Sequence, residues 1–248
     1  MKKIGLLGFG KIGRVLAKFA EENGCEVVFV QDPIVKDEEH FRVIAEADEA
    51  LYAQTDLVIE CATATALKAN YDLLIRHCDL LVFSLTSFSD AAFYDHAVEA
   101  AKASGHHIYL PHGAILGLDG IFDGRSIISK VSIETTKSPK SLGLADCEKT
   151  VVFDGCTRDA CQAFPRNVNV HAAVALAGIG FDKTTSRIIA DPAVNNNTHV
   201  ITVDGEGIHF SITVSSFTTG GVTGVYTPLS ACGSLERLLG GKDVFSFV

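Results

Sequence analysis

The first hundred residues alternate short apolar runs with helix-length stretches of spaced apolar positions. Residues 3–7, KIGLL, form one such run; Ile12, Val15, Leu16, Phe19 and Ala20 then recur at helical spacing until Asn23-Gly24 stops them. Glu26–Val30, Asp56–Cys61, Leu80–Phe83 and His107–Leu110 repeat the buried-strand pattern, with helices predicted near 64–77 and over about 90–103. Runs this apolar are covered on both faces, and strands separated by helices imply parallel crossovers.

Beyond Gly113 the period changes. Residues 127–136 (IISKVSIETT), 200–203 and 208–214 alternate polar with apolar, which predicts strands of a sheet with one wet face. Val168–Ala177 is apolar at helical spacing and is expected to lie across the dry face, and Ala231–Leu239 reads as a final helix. Residues 191–198, DPAVNNNT, read as a polar loop that delivers His199 to the mouth of a strand. The expected domains are 1–112, 113–225 as an α+β substrate and dimerisation domain, and 226–248 as a C-terminal helix packing back on the first.

At 248 residues with 47% hydrophobic composition there is ample core for two such domains. A formal charge of −9 argues against nucleic acid or an anionic membrane as partner, and no apolar run reaches the length of a bilayer span. The start, MKKIGLLGFGKIG, is too short and glycine-broken for a signal peptide, so a cytoplasmic protein is expected. Seven scattered cysteines without a CxxC pair read as buried, reduced thiols, and no close histidine spacing points to a metal.

The turn Gly8-Phe9-Gly10-Lys11-Ile12-Gly13 lies between the first strand and the first helix. There Gly8 permits a tight turn, Gly10 lets backbone approach a pyrophosphate, Gly13 brings helix and strand together, and the helix start supplies free N–H groups. Asp32, roughly 20 residues further on, is placed to bind ribose hydroxyls. The fold class is therefore α/β, a Rossmann-type doubly wound parallel sheet followed by an α+β domain. A carboxylate at 32 with no basic residue directly after it favours NAD, with NADP as the alternative. Ala62 and residues 84–87 follow strand ends on the ligand side of such a sheet.

The cleft between the domains is the expected place of chemistry. Among the histidines, His112 ends the last parallel strand, His171 falls in the first turn of an apolar helix, and His199 follows the asparagine loop; each is either a satisfied structural histidine or part of a site. Lys137 and Lys140 are either a solvated loop or anion ligands.

GFGKIG at 8–13, PHGAILGLDG at 111–120, TTKSPKSLG at 135–143, FPRNVNV at 164–170 and ADPAVNNNTH at 190–199 together resemble the L-aspartate dehydrogenase family over nearly the whole chain. The resemblance implies a dimeric enzyme in which NAD(P) oxidises the amino-bearing carbon of aspartate to iminosuccinate, which hydrolyses to oxaloacetate and ammonia. It implies that His199 is the catalytic residue and that Ala114 and Asn169 contact the nicotinamide cofactor. For the substrate carboxylates, Lys137, Lys140, Arg166 and Asn167 are the candidates, with His112 and His171 as replacements for lost cationic contacts. Those two histidines depart from the family pattern, as does Thr218–Pro228, which lacks a lysine usual there. Two alternatives follow from these departures: the same fold acting on another small amino or hydroxy dicarboxylate, and a nucleotide-binding sensor without turnover.

Overall fold

A computed structural model describes residues 1–36, 40–145, 148–217, 224–241 and 244. Cys147 and residues 218–223 of the divergent Thr218–Pro228 segment lie outside them. The chain divides into two compact units, one of Met1–Ser87, Ala92–Pro111 and Pro228–Val248, the other of Phe88–Ala91 and His112–Thr227.

The first unit runs β1 (Lys3–Leu7), α1 (Lys11–Glu22), β2 (Glu26–Gln31), β3 (Val43–Ile44), α2 (Glu49–Tyr52), β4 (Leu57–Glu60), α3 (Ala64–His77), β5 (Asp79–Val82), α4 (Ala91–Ser104) and β6 (Ile108–Tyr109). Its six strands pair in parallel in the order β3-β2-β1-β4-β5-β6. That is the Rossmann order, with the chain reversing direction across the sheet on either side of β1. Strand β4 is buried at every position, as its unbroken Leu57-Val58-Ile59 run requires. The C-terminal helix α8 (Tyr226–Leu238) returns to this unit and buries Ala231 and Leu235 completely among Ile4, Leu6, Leu16, Leu57 and Ile59.

The second unit runs α5 (Leu118–Gly124), β7 (Ile128–Lys137), β8 (Thr150–Cys156), α6 (Thr157–Ala163), α7 (Asn169–Ala177), β9 (Thr185–Ala190), β10 (Asn196–Gly205) and β11 (Ile208–Phe217). The strands order as β11-β10-β7-β9-β8; only β7 and β9 are parallel. Helix α7 packs against β7.

Two sequence expectations are corrected. The asparagine stretch is not wholly loop: β10 begins at Asn196, with Asn196 opposite Phe217 and Asn197 opposite Ser216. Ladder bonds to β11 outweigh the tendency of asparagine to bond its own backbone. Lys137 is not a solvated loop residue but the buried last residue of β7, 4% exposed.

Candidate active site

In the first unit the glycine turn has the shape its spacing implied. Gly8 has φ of 97°, and a Cβ there would lie 2.7 Å from the Ala62 backbone. A Cβ on Gly13 would lie 2.4 Å from the Gly8 carbonyl oxygen, so this glycine lets helix and turn touch. Gly10 has nothing within 4 Å of its Cβ position, leaving backbone open to an approaching group. Gly10 also caps α1 without any side-chain hydrogen bond, so the first-turn N–H groups beginning at Lys11 and Ile12 are left for a ligand. Open backbone at an uncapped helix start fits a dinucleotide pyrophosphate.

Asp32 follows β2 and accepts from the Phe9 N–H at 2.8 Å and the Ile34 N–H at 2.9 Å. Burial pushes its carboxyl up, but backbone bonds from Ile34, Phe9 and Val35, with the Arg14 charge, outweigh that and hold it below the usual range. On the ligand side of the sheet, the Glu60 carboxylate ties the turns after β4 and β5 together. It accepts from Ala62 N–H at 2.9 Å, Ser84 N–H at 2.9 Å and Ser84 Oγ at 2.7 Å. Burial raises Glu60 to about 7 against these bonds.

In the second unit the site grows out of strand periodicity. Positions of β7 and β10 that share the buried face pair as Val131 with Val203, Ile133 with Ile201, and Thr135 with His199. The face is apolar for two pairs and then turns polar, with Lys137 and Asn197 one step beyond and also buried. His199 is 2% exposed and His171, from the first turn of α7, is 0% exposed. Thr135 Oγ1 lies 2.8 Å from His199 Nδ1 and 2.7 Å from His171 Nε2. His171 Nδ1 lies 2.8 Å from Ser186 Oγ, which lies 2.7 Å from Thr157 Oγ1. Thr157 Oγ1 donates to the Thr184 carbonyl at 3.0 Å. The Lys137 ammonium donates to the Asn167 carbonyl at 3.1 Å and makes no ion pair among the described residues.

Burial, then the Lys137 charge, pushes His199 down to about 3; burial alone pushes Lys137 down to about 8. Burial, then His199 and Lys137, pushes His171 well below its ordinary value. Both imidazoles are therefore neutral near pH 7. A neutral imidazole with one ring nitrogen committed and the other, Nε2 of His199, making no hydrogen bond among the described residues can act as a base.

The structure thus gathers His199, Lys137, Asn167 and His171. It corrects the expectation that His171 meets substrate, because both of its ring nitrogens are already hydrogen bonded inside the core. Lys140 and Arg166 are exposed. His112 and Ala114 are half-buried in the turn before α5, and Asn169 is the half-buried first residue of α7. Sequence reasoning quoted Thr135 only within a motif and missed Ser186 and Thr157 altogether. A signal for Thr135 existed: period two puts it on the same face as Val131 and Ile133.

A Rossmann sheet with an open glycine turn, accompanied by a second unit holding a buried base and ammonium, defines a nicotinamide-dependent oxidoreductase. Residues 8–111 match the family model described as homoserine dehydrogenase, NAD binding domain, and residues 122–238 match that described as aspartate dehydrogenase, C-terminal. The chain is 36% identical to an L-aspartate dehydrogenase of Methanococcoides burtonii, across 96% of this chain and 97% of that one. It is 35% identical to one from Archaeoglobus fulgidus, across 82% of each. The crystal structure of aspartate dehydrogenase from Thermotoga maritima superposes with a TM-score of 0.82 at 28% identity, covering 99% of this chain and 100% of that one. The chain belongs to the L-aspartate dehydrogenase family.

Proposed function

We propose that this chain oxidises L-aspartate with NAD and water to oxaloacetate, ammonia and NADH through iminosuccinate. The observation that carries this reading is the polar end of the β7–β10 face: a neutral imidazole beside a buried ammonium, with no hydrogen bond to Nε2 and no carboxylate paired with the ammonium among the described residues. Bound NAD supplies the hydride acceptor. Before the carbon can lose hydride, the substrate ammonium must lose a proton, and Nε2 of His199 takes it. Once that proton has passed to solvent, the same nitrogen draws a proton from the water that adds to the imine carbon.

Lys137 holds one substrate carboxylate by a charge-assisted bond, with Asn167 beside it. His112 is a further donor candidate. Lys140 and Arg166, being exposed, act at longer range by drawing a dianion toward an otherwise acidic chain of net charge −9. Gly8 to Gly13 and Ala62 hold the pyrophosphate end of the cofactor, and Ala114 and Asn169 its nicotinamide end. Asp32, ionised at neutral pH, favours NAD by repelling a 2′-phosphate. We place the enzyme in the cytoplasm as a homodimer. The unpaired cysteines fit a reducing compartment, and no described helix is long and apolar enough to cross a membrane.

The test mixes purified protein with NAD and L-aspartate and follows NADH by its absorbance, alongside other amino and hydroxy dicarboxylates. NADH formation fastest with aspartate is expected. No NADH from aspartate at saturating cofactor across a range of pH overturns the substrate, and NADH binding without turnover on any acid tried favours a sensor.

A further inference from the structure

The chain of contacts from His199 into the core ends at a group that can only accept. The Thr184 carbonyl receives both the Thr157 N–H at 2.9 Å and the Thr157 hydroxyl at 3.0 Å. That terminus fixes the direction of every proton behind it. With its only hydroxyl proton given to Thr184, Thr157 Oγ1 must accept from Ser186 Oγ. Ser186, its own proton now used, must accept from His171 Nδ1–H. A neutral His171 with hydrogen on Nδ1 presents a lone pair on Nε2, so Thr135 donates there. Thr135 then has only lone pairs to offer His199, whose Nδ1 must carry the hydrogen.

We infer that Thr135, His171, Ser186 and Thr157 form a one-way hydrogen-bond chain that locks His199 as the Nδ1–H tautomer, leaving Nε2 bare in the resting protein and turned to receive a proton. The four are positioning residues; none touches substrate. The chain requires His171 to be neutral, since a second proton on Nε2 would turn the Thr135 hydroxyl toward His199 and reverse the lock. Complete burial keeps that proton off, helped by His199 on β10 and Lys137 on β7, the charged or titratable groups acting on it. The chain tolerates a full proton-transfer cycle. His199 can gain a proton on Nε2 and lose it again without altering its bond to Thr135, so nothing in the core reorganises during turnover. This explains why a histidine with no route to substrate occupies position 171.

The inference rests on the reading of His199 as the proton-transfer group, but its first test does not. Full-length protein labelled with ¹⁵N in its histidine rings is examined by two-bond ¹H–¹⁵N correlation near neutral pH, with His199 assigned by the signal lost in His199→Asn. A protonated Nδ1 and bare Nε2 at His199 is expected; hydrogen on Nε2 overturns the lock whatever the activity. The second test is Thr135→Val, which removes the hydroxyl and keeps the shape. Its kcat should fall by ~10² or more with the NAD affinity held, and hydrogen should appear on Nε2 of His199, while Thr135→Ser restores both. Wild-type kcat in Thr135→Val overturns the inference. If that variant does not fold, the wild-type spectrum alone decides. Undiminished turnover in His199→Ala sinks the functional reading instead, and is distinguishable because the tautomer spectrum is unaffected by it.

Discussion

Replacing Lys137 with methionine separates what the buried ammonium costs the fold from what it gives the substrate. Its pKa lies at about 8 against an ordinary 10.5, and the cause is burial alone. Below pH 8 the folded protein therefore carries a charge that the unfolded chain holds more easily, a difference of ~3 kcal/mol. Methionine keeps the stem and the packing but gives up the bond to the Asn167 carbonyl, worth about 1 kcal/mol. The Lys137→Met protein should thus be more stable than wild type by ~2 kcal/mol at pH 7. The sign follows from linkage. Between pH 8 and 10.5 the unfolded lysine holds its proton while the folded one has lost it, so wild-type stability rises with pH across that window. The advantage of methionine should fade through it and reverse near its top, where only the lost hydrogen bond counts. Chemical denaturation of both proteins at several pH values reads this directly. A variant less stable than wild type at pH 7, or an advantage that does not change with pH, refutes the uncompensated charge. In kinetics the same variant should lose about 10–100-fold in kcat/KM for aspartate, the worth of one charge-assisted bond to a carboxylate, with NAD affinity unchanged.

His199→Ala should lower kcat by ~10²–10⁴ and leave NADH binding, followed by fluorescence, as it was; normal turnover removes the imidazole from the mechanism. Asp32→Ala should narrow the preference for NAD over NADP in kcat/KM, and an unchanged ratio means this carboxylate does not read the ribose. Gly8→Ala, forced to positive φ against the Ala62 backbone, should cost about 1–3 kcal/mol in a denaturation experiment. Gly10→Val, in open space, should melt like wild type yet bind NAD more weakly, and a loss of stability there contradicts the open-backbone reading. On acidification, His199 stays neutral down to about 3 while its unfolded counterpart titrates near 6.5, so stability should fall between those values by up to ~5 kcal/mol. Denaturation midpoints insensitive to pH below 6 would contradict the buried neutral imidazole.

Most of the first unit was legible because its signals are local, an apolar run, a glycine turn and a helical period falling within thirty residues of one another, while the two-residue β3 and four-residue α2 are too short to show a period. The second was legible only in part. Strand β8, TVVFDGC, is half-exposed along its length and carries no clean period, and the alternation of β9, TSRIIA, is cut off by three buried residues in a row. Helix α5 contains Gly120 and Gly124, which propensity counts against, and forms because Leu118 and Ile121 are buried. The histidine network was illegible for a different reason. Thr135 and His199 are joined by strand register across 64 positions, and Ser186 and Thr157 are ordinary hydroxyl residues until α7 sets His171 between Thr135 and Ser186.

The placement of His199 in a strand rather than a loop bears on the proposed chemistry. Strand β10 is paired on both sides, with β7 and β11, so the backbone at 199 is held by two ladders. Apolar pairs Ile133–Ile201 and Val131–Val203 continue the same buried face behind it. An imidazole on a loop would have to be ordered afresh with each substrate, losing rotamer freedom at every turnover; one clamped between ladders lost that freedom when the protein folded. The same rigidity is what lets a run of hydroxyls choose its tautomer, since a lone pair on Thr135 selects Nδ1–H only if the ring cannot turn over and offer its other nitrogen. Fixing the backbone and fixing the proton are therefore one structural act, carried out by the register that sets Thr135 opposite His199.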